Sequence, residues 1–224
     1  MKYSNFEKRK IVKDDYDAIA EVFANCYSEI DLYKPYIDEF VKSLNGKNIL
    51  DVGCGAGQFT NYFCELGFNA KGIDFSRGLL FIARKNYPNI EFVNADICEY
   101  KTSELYDGIF VKDMLFHLPD EDIEKTLKAF KKMLKANGKI CIIMDMPKQA
   151  GEQIFVEELD ERYKIYYNYL TPEKLKLLLE QANITIDDVK CVKDNDNASS
   201  YATGLMVFQA TNEHSLAKDK NLGE

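Results

Sequence analysis

Asn48-Ile49-Leu50-Asp51-Val52-Gly53-Cys54-Gly55-Ala56-Gly57-Gln58-Phe59 decides how this chain is read. A short apolar run ends in an acid, three glycines alternate with small residues, and a helical pattern follows. That order predicts a buried parallel strand, a tight turn and a helix N-terminus. Glycines in such a turn let backbone N–H groups approach a ligand where a Cβ would collide. The spacing is Asp-x-Gly-x-Gly-x-Gly, one residue shorter than the G-x-G-x-x-G dinucleotide fingerprint.

Working outward, the next apolar segment, Asn69 to Ser76, reaches an acid at Asp74. A carboxylate at the end of the second strand, roughly 20 residues past the glycine turn, suits a ribose diol. Nicotinamide enzymes use the same acid, so Asp74 points to an adenosine without naming the cofactor. A third segment, Ile90 to Ile97, carries Asp96 near its end. A fourth runs from Tyr106 through Lys112-Asp113 to His117-Leu118-Pro119, and a fifth, Leu134 to Ile143, follows a helical stretch. In the turn before that fifth strand, Asn137 is one of the few non-glycine residues that tolerate a left-handed conformation.

Taken in order from about Tyr16 to Ala210, these segments resemble the class I S-adenosylmethionine-dependent methyltransferases. The resemblance implies a small-molecule methyltransferase with S-adenosylmethionine as cofactor. It implies that Asp51, Gly53, Cys54, Gly55 and Gly57 form the cofactor turn. Asp74 then lies at the ribose, Asp96 meets the adenine amino group and Ile97 packs on the base, with Phe75, Ser76 and Lys112 as further cofactor-binding residues. It also implies a Rossmann-like, doubly wound α/β fold with a seven-stranded sheet of order 3-2-1-4-5-7-6, strand 7 reversed. Two alternatives share the adenosine features: a nicotinamide-dependent oxidoreductase, disfavoured by the glycine spacing and by Asp96, and a non-catalytic adenosyl-binding protein.

The pattern along the chain predicts strands at 48–52, 69–74, 90–94, 107–112 and 138–145, with helices at 57–66, 76–86 and 120–136. Asn137-Gly138 is read as closing the last of these. Thr171-Pro172 starts a further helix, with Thr as N-cap and Pro at the first helical position. Ile184–Val192 and Thr203–Ala210 read as an antiparallel edge hairpin around a polar Asn/Asp/Ser stretch. The expected organisation is a helical cap at 1–44, its helices running from Asp14 and broken near Pro35. A methyltransferase domain at 45–212 follows, with a lid insertion at 145–170, and then a flexible tail at 213–224. The lid is rich in tyrosine, as is the cap, and loops beyond the carboxyl ends of strands vary with substrate. Tyr16, Tyr27 and Tyr167 are therefore the substrate-contact candidates, although burying aromatic area is the commoner use of such rings.

Methyl transfer from an activated donor needs positioning first and a base only when the acceptor must lose a proton. His117 is the candidate base, with Asp113 behind it; the competing reading makes His117 a turn residue bonded to backbone. His214 lies in the polar tail.

The 224 residues are 46% hydrophobic with a formal charge of −8, which speaks against a broad nucleic-acid surface. There is no Pro-Cys nucleophile and no Asn/Asp-Pro-Pro-aromatic turn after strand four, so nucleic-acid base methylation is disfavoured. The six cysteines, at 26, 54, 64, 98, 141 and 191, form no C-x-x-C pair, so no metal site is expected. Met1 to Asp15 has no apolar core of a signal peptide, and no run approaches membrane-spanning length. The sequence thus predicts a cytoplasmic monomer or homodimer whose partner is a small-molecule acceptor, with no nucleic acid or membrane.

Overall fold

Ser4 opens the first helix. Its hydroxyl accepts from the Glu7 N–H, and the Glu7 carboxylate accepts from the Ser4 N–H. This reciprocal cap starts α1 (Asn5–Ala18) at Asn5, well before the Asp14 start expected from sequence. The computed structural model describes residues 3–157, 159–193 and 202–213. α2 (Ala20–Cys26) and α3 (Lys34–Lys42) complete the N-terminal helices. Pro35 sits in the first turn of α3, so it opens that helix rather than breaking one.

β1 (Asn48–Val52), β2 (Asn69–Asp74), β3 (Glu91–Asn94), β4 (Tyr106–Lys112) and β5 (Leu134–Pro147) follow, with α4 (Gln58–Glu65), α5 (Arg77–Asn86) and α6 (Asp120–Met133) between them. β6 (Gly151–Val156) and β7 (Lys164–Tyr169) pair as a separate antiparallel hairpin. α7 (Pro172–Gln181), β8 (Thr185–Lys193) and β9 (Ala202–Thr211) end the described chain. The main sheet has the order β3-β2-β1-β4-β5-β9-β8. Every pairing is parallel except those of β9, which runs against both β5 and β8.

Alternation along the strands feeds two helical layers. Leu50, Val52, Ile109, Val111 and Ile142 pack with Ile123, Leu127 and Phe130 of α6 and with Leu175 and Leu179 of α7. On the other face Ile49, Phe110 and Cys141 pack with Phe40 of α3 and with Phe59 and Phe63 of α4. Cys141 is wholly buried there as a small packing residue.

Three further sequence expectations are corrected. α6 stops at Met133, because Leu134 already pairs with Tyr106 and the sheet ladder takes over. Asn137 is left-handed (φ 59°), but it turns inside β5 instead of closing the helix, tied down by the Asn137 N–H to the Asn212 carbonyl at 3.0 Å. The insertion after strand five is the β6–β7 hairpin, and β5 extends into it as far as Pro147. Past Glu213 the expected tail, with His214, lies outside the described residues, as does the polar stretch between β8 and β9.

Candidate functional site

The carboxyl ends of β1, β2, β3, β4 and β5 open into one cavity of about 430 Å³, covered by α1, α2 and the hairpin. The glycine turn forms its floor. Gly55 has φ 54°, and a Cβ built there would meet no heavy atom closer than Leu79 Cδ1 at 4.0 Å, so the turn leaves open space above it. Gly57 does a different job. It has φ 86° and a Cβ would come within 2.7 Å of Phe92 Cζ, so it lets α4 start close to the sheet and lies outside the cavity wall. Gly53 and Cys54 line the cavity.

Asp74 braces this turn. Its Oδ2 accepts from the Gly55 N–H at 2.9 Å and its Oδ1 from the Ser76 N–H at 2.8 Å. Each oxygen keeps a second lone pair. Burial pushes the Asp74 carboxyl up to about 6 against the pull of those amides. Asp51 accepts the Thr60 hydroxyl at 2.6 Å, and burial pushes it up to about 7. Asp96 Oδ2 is held by Arg9 Nε of α1 at 2.8 Å, and Arg9 also pairs with Asp122. Phe75 and Ile97 add apolar wall. Ser76 does not reach the cavity: its hydroxyl caps α5 through the Leu79 N–H and donates to Asp17 Oδ1 at 2.8 Å. Lys112 lines the cavity, but its ammonium is paired with Asp113 and lies 4.6 Å from the centre of the Tyr33 ring.

The opposite wall is aromatic. Tyr16 and Phe23 meet edge to face at 5.0 Å, and Phe23 touches Tyr27 at 4.7 Å. Tyr167 of β7 lies 5.3 Å from Phe116 and 5.0 Å from His117, ring centre to ring centre. Tyr16, Tyr27 and Tyr167, the substrate-contact candidates, all line the cavity, and Tyr33 joins them. Tyr36, on α3, packs against the core cluster of Ile37, Phe40 and Phe63, and Tyr166 turns its ring into the interior at 1% exposure.

His117 sits where cap, sheet and hairpin meet. Its Nδ1 lies 3.0 Å from the Tyr166 carbonyl and its Nε2 lies 2.9 Å from the Tyr16 hydroxyl. Burial lowers its pKa to about 4, against the raising effect of the Tyr166 carbonyl and of Asp113. The imidazole is therefore neutral at neutral pH. Asp113 is spent on Lys112 and on the Asp145 N–H at 3.2 Å. Among the described residues no group of three or more His, Cys, Asp or Glu side chains is arranged to hold a metal ion.

Sequence reasoning missed Arg9, Asp15 and Asp145. Arg9, Val12 and Tyr16 recur at helical spacing, so the Ser4–Glu7 capping box could have placed all three on one inward face of α1. Asp15 is wholly buried, and among the described residues no donor reaches its oxygens. It faces Glu157 and Asp160 of the hairpin turn as a protonated acid; burial, then the Glu157 and Asp160 charges, push it up to about 8. Asp145 is pushed up to about 6 by burial and by Asp113.

A family profile described as "Methyltransferase domain" matches residues 49–138. The chain is 24% identical over 222 residues to a protein of Acinetobacter baylyi named ubiquinone biosynthesis O-methyltransferase, covering 90% of this chain and 92% of that one. A protein of the same name from Pseudomonas fluorescens is 26% identical over 82% of this chain and 78% of its own length. Among solved structures, the fold is similar to Burkholderia thailandensis 1,6-didemethyltoxoflavin-N1-methyltransferase with bound 1,6-didemethyltoxoflavin and S-adenosylhomocysteine. That match has TM-score 0.76 and 18% identity over 96% of this chain and 92% of the other. It is also similar to an S-adenosylmethionine-dependent methyltransferase from Clostridium acetobutylicum, with TM-score 0.69 and 15% identity over 89% of this chain and all of that one.

Proposed function

We propose that this chain, which belongs to the class I S-adenosylmethionine-dependent methyltransferases, methylates a small aromatic acceptor held between its N-terminal helices and the β6–β7 hairpin. One observation carries the proposal: a single cavity joins the open face of the glycine turn to the aromatic wall of Tyr16, Phe23, His117 and Tyr167. The membership sets aside the nicotinamide-dependent alternative.

The residues fit the cofactor. The space above Gly55 is what a Cβ would fill, and a ligand can use it instead. Asp51 and Asp74 are buried carboxylates made uncomfortable as anions, and a cationic ligand relieves that. In this reading the free lone pairs of Asp74 accept from ribose hydroxyls. Asp96, fixed by Arg9, accepts from the adenine amino group, and Phe75 and Ile97 pack on the base. Bound S-adenosylmethionine supplies a methyl group already activated on a sulfonium. The protein's part is then to orient the acceptor and keep water out, which alone can supply much of a rate enhancement.

A planar, apolar acceptor suits rings placed edge to face and tilted around the cavity. A hydroxyl acceptor is favoured by the relatives named ubiquinone biosynthesis O-methyltransferase. Nitrogen is the second reading, favoured by the N1-methyltransferase of the same fold. The six free cysteines suit a reducing, cytoplasmic setting, with the chain acting as a monomer or homodimer.

The test has two parts. S-adenosylhomocysteine should raise the melting temperature, and NAD should not. A panel of phenols and aromatic amines incubated with S-adenosylmethionine should then yield a product heavier by one methyl in place of hydrogen. No thermal shift at millimolar S-adenosylhomocysteine would sink the cofactor assignment. Methylation of non-aromatic acceptors alone would sink the acceptor class.

A further inference from the structure

We propose that Tyr16 and His117 form a polarity gate rather than a base: His117 holds the Tyr16 O–H away from the cavity, so that Tyr16 can only accept a hydrogen bond there and selects an acceptor bearing a proton. The inference rests on the proposed methyl-acceptor site and specifies what that site demands.

The argument follows donors and acceptors along a chain. The Tyr166 carbonyl can only accept, so at 3.0 Å the His117 Nδ1 must carry the proton. A neutral imidazole has one N–H, so Nε2 is a lone pair. The Tyr16 hydroxyl, 2.9 Å from Nε2, must therefore donate to it. That single O–H is then used up. What remains on Tyr16, a residue of the cavity wall, is an oxygen lone pair. A ligand meeting it must offer O–H or N–H. An ether, a tertiary amine or an anionic oxygen meets lone pair with lone pair and loses the bond.

Three segments fix the polarity together. Tyr16 comes from α1, His117 from the turn after β4, and the carbonyl from β7, so the chain of bonds exists only while cap and hairpin are both seated. Neither member is placed to change charge in the working range. The Tyr16 hydroxyl is held well above its ordinary value by burial first, then by Asp113, Asp15, Glu157 and Asp74, the acids that face it from the turn after β4, α1, the hairpin turn and β2. His117 is held low by the same burial. A group that stays neutral on both sides of pH 7 is poorly matched to proton removal and well matched to fixing direction.

The experiment reads the tautomer directly, without an acceptor. In ¹⁵N-histidine-labelled protein carrying His214→Asn, one histidine remains. It should show a protonated Nδ1 and a hydrogen-bonded, unprotonated Nε2 from about pH 5.5 to 8.5. Tyr16→Phe should move the Nε2 resonance and leave Nδ1 in place. An Nε2–H tautomer, or an imidazolium forming within that range, overturns the gate. Specificity is read by calorimetry on protein loaded with S-adenosylhomocysteine, using 4-methylphenol and 4-methylanisole, the same ring with and without the hydroxyl proton. The phenol should bind about tenfold more tightly to the parent protein, the effect of one ordinary hydrogen bond, and the two should bind alike in Tyr16→Phe. Equal affinities in the parent protein, including no binding of either, overturn the selection. Failure of S-adenosylhomocysteine to bind overturns the proposed function instead and leaves the tautomer measurement to judge the gate by itself.

Discussion

The glycine-turn side and the aromatic side of the cavity are built in different ways. The first is made of backbone: Gly55 and Ser76 amides on Asp74, within a few residues of strand ends set by the sheet. Its acids lie along three parallel neighbours in the sheet, Asp51 on β1, Asp74 at the end of β2 and Asp96 just past β3. The second is made of side chains from α1, α2, the turn after β4 and β7, brought together only by tertiary packing. The geometry of the first side follows from the fold. The second can change ring by ring without disturbing the sheet.

Substitutions can break that division, and the largest effect is expected inside the turn. Gly57→Val should unfold the protein or cost several kcal/mol, because a side chain at φ 86° would drive its Cβ into Phe92. Gly55→Ala is the contrast. Its Cβ enters open space, so melting should drop only by what a left-handed alanine costs, about 1 kcal/mol, while S-adenosylhomocysteine binding falls by two orders of magnitude or more. Calorimetry and a melting curve on both variants separate packing from ligand space.

Next in size, Asp74→Ala should weaken S-adenosylhomocysteine by about 1.5–3 kcal/mol, the range for hydrogen bonds to a charged group. Tyr167→Ala should do the reverse of Asp74→Ala. It should raise the acceptor KM several-fold with cofactor affinity within about twofold, as expected from loss of one wall ring. Steady-state kinetics with each substrate varied in turn would read this. A large cofactor effect from Tyr167→Ala would erase the division between the two sides.

The smallest effect concerns how the cap meets the hairpin. Asp15 keeps its proton in the folded protein until about pH 8, whereas the unfolded chain loses it near 4. Stability from this group is therefore greatest at low pH and declines as pH rises from about 4 to about 8. His117 has the opposite sign: its folded pKa is depressed to about 4, so stability is lost as pH falls from about 6.5 toward 4. Asp15→Asn should remove the first slope, raising the melting temperature by a few degrees at pH 8 and little at pH 5. A lower melting temperature at pH 8 would contradict the protonated Asp15–Glu157 contact.

The same division governs what could be read from sequence. The turn and the strand-end acids were legible because each depends on local spacing: apolar runs ending in Asp, glycines at alternate positions, helices between. The sheet order came only from the family resemblance, since spacing along the chain gives strands but not their neighbours. The reversed β9 was legible because two strand-like runs stood close together. The capping role of the Ser76 hydroxyl was not legible, because a residue after a strand-end acid can face the ligand or cap the next helix, and only packing decides. The polarity of His117 was not legible, since its two partners lie 101 positions before it and 49 after it in the chain. The hairpin of the insertion was missed because a tyrosine-rich run suits a helix face or a strand equally until its partner is known.

The most direct test of the account is S-adenosylhomocysteine titrated calorimetrically into the parent protein, Asp74→Ala and Tyr16→Phe. The account predicts measurable binding to the parent, a loss of about tenfold to a hundredfold or more in Asp74→Ala, and affinity within about twofold of the parent in Tyr16→Phe. No binding to the parent, or equal losses in the two variants, would contradict a cofactor site built on the glycine turn and separate from the aromatic wall.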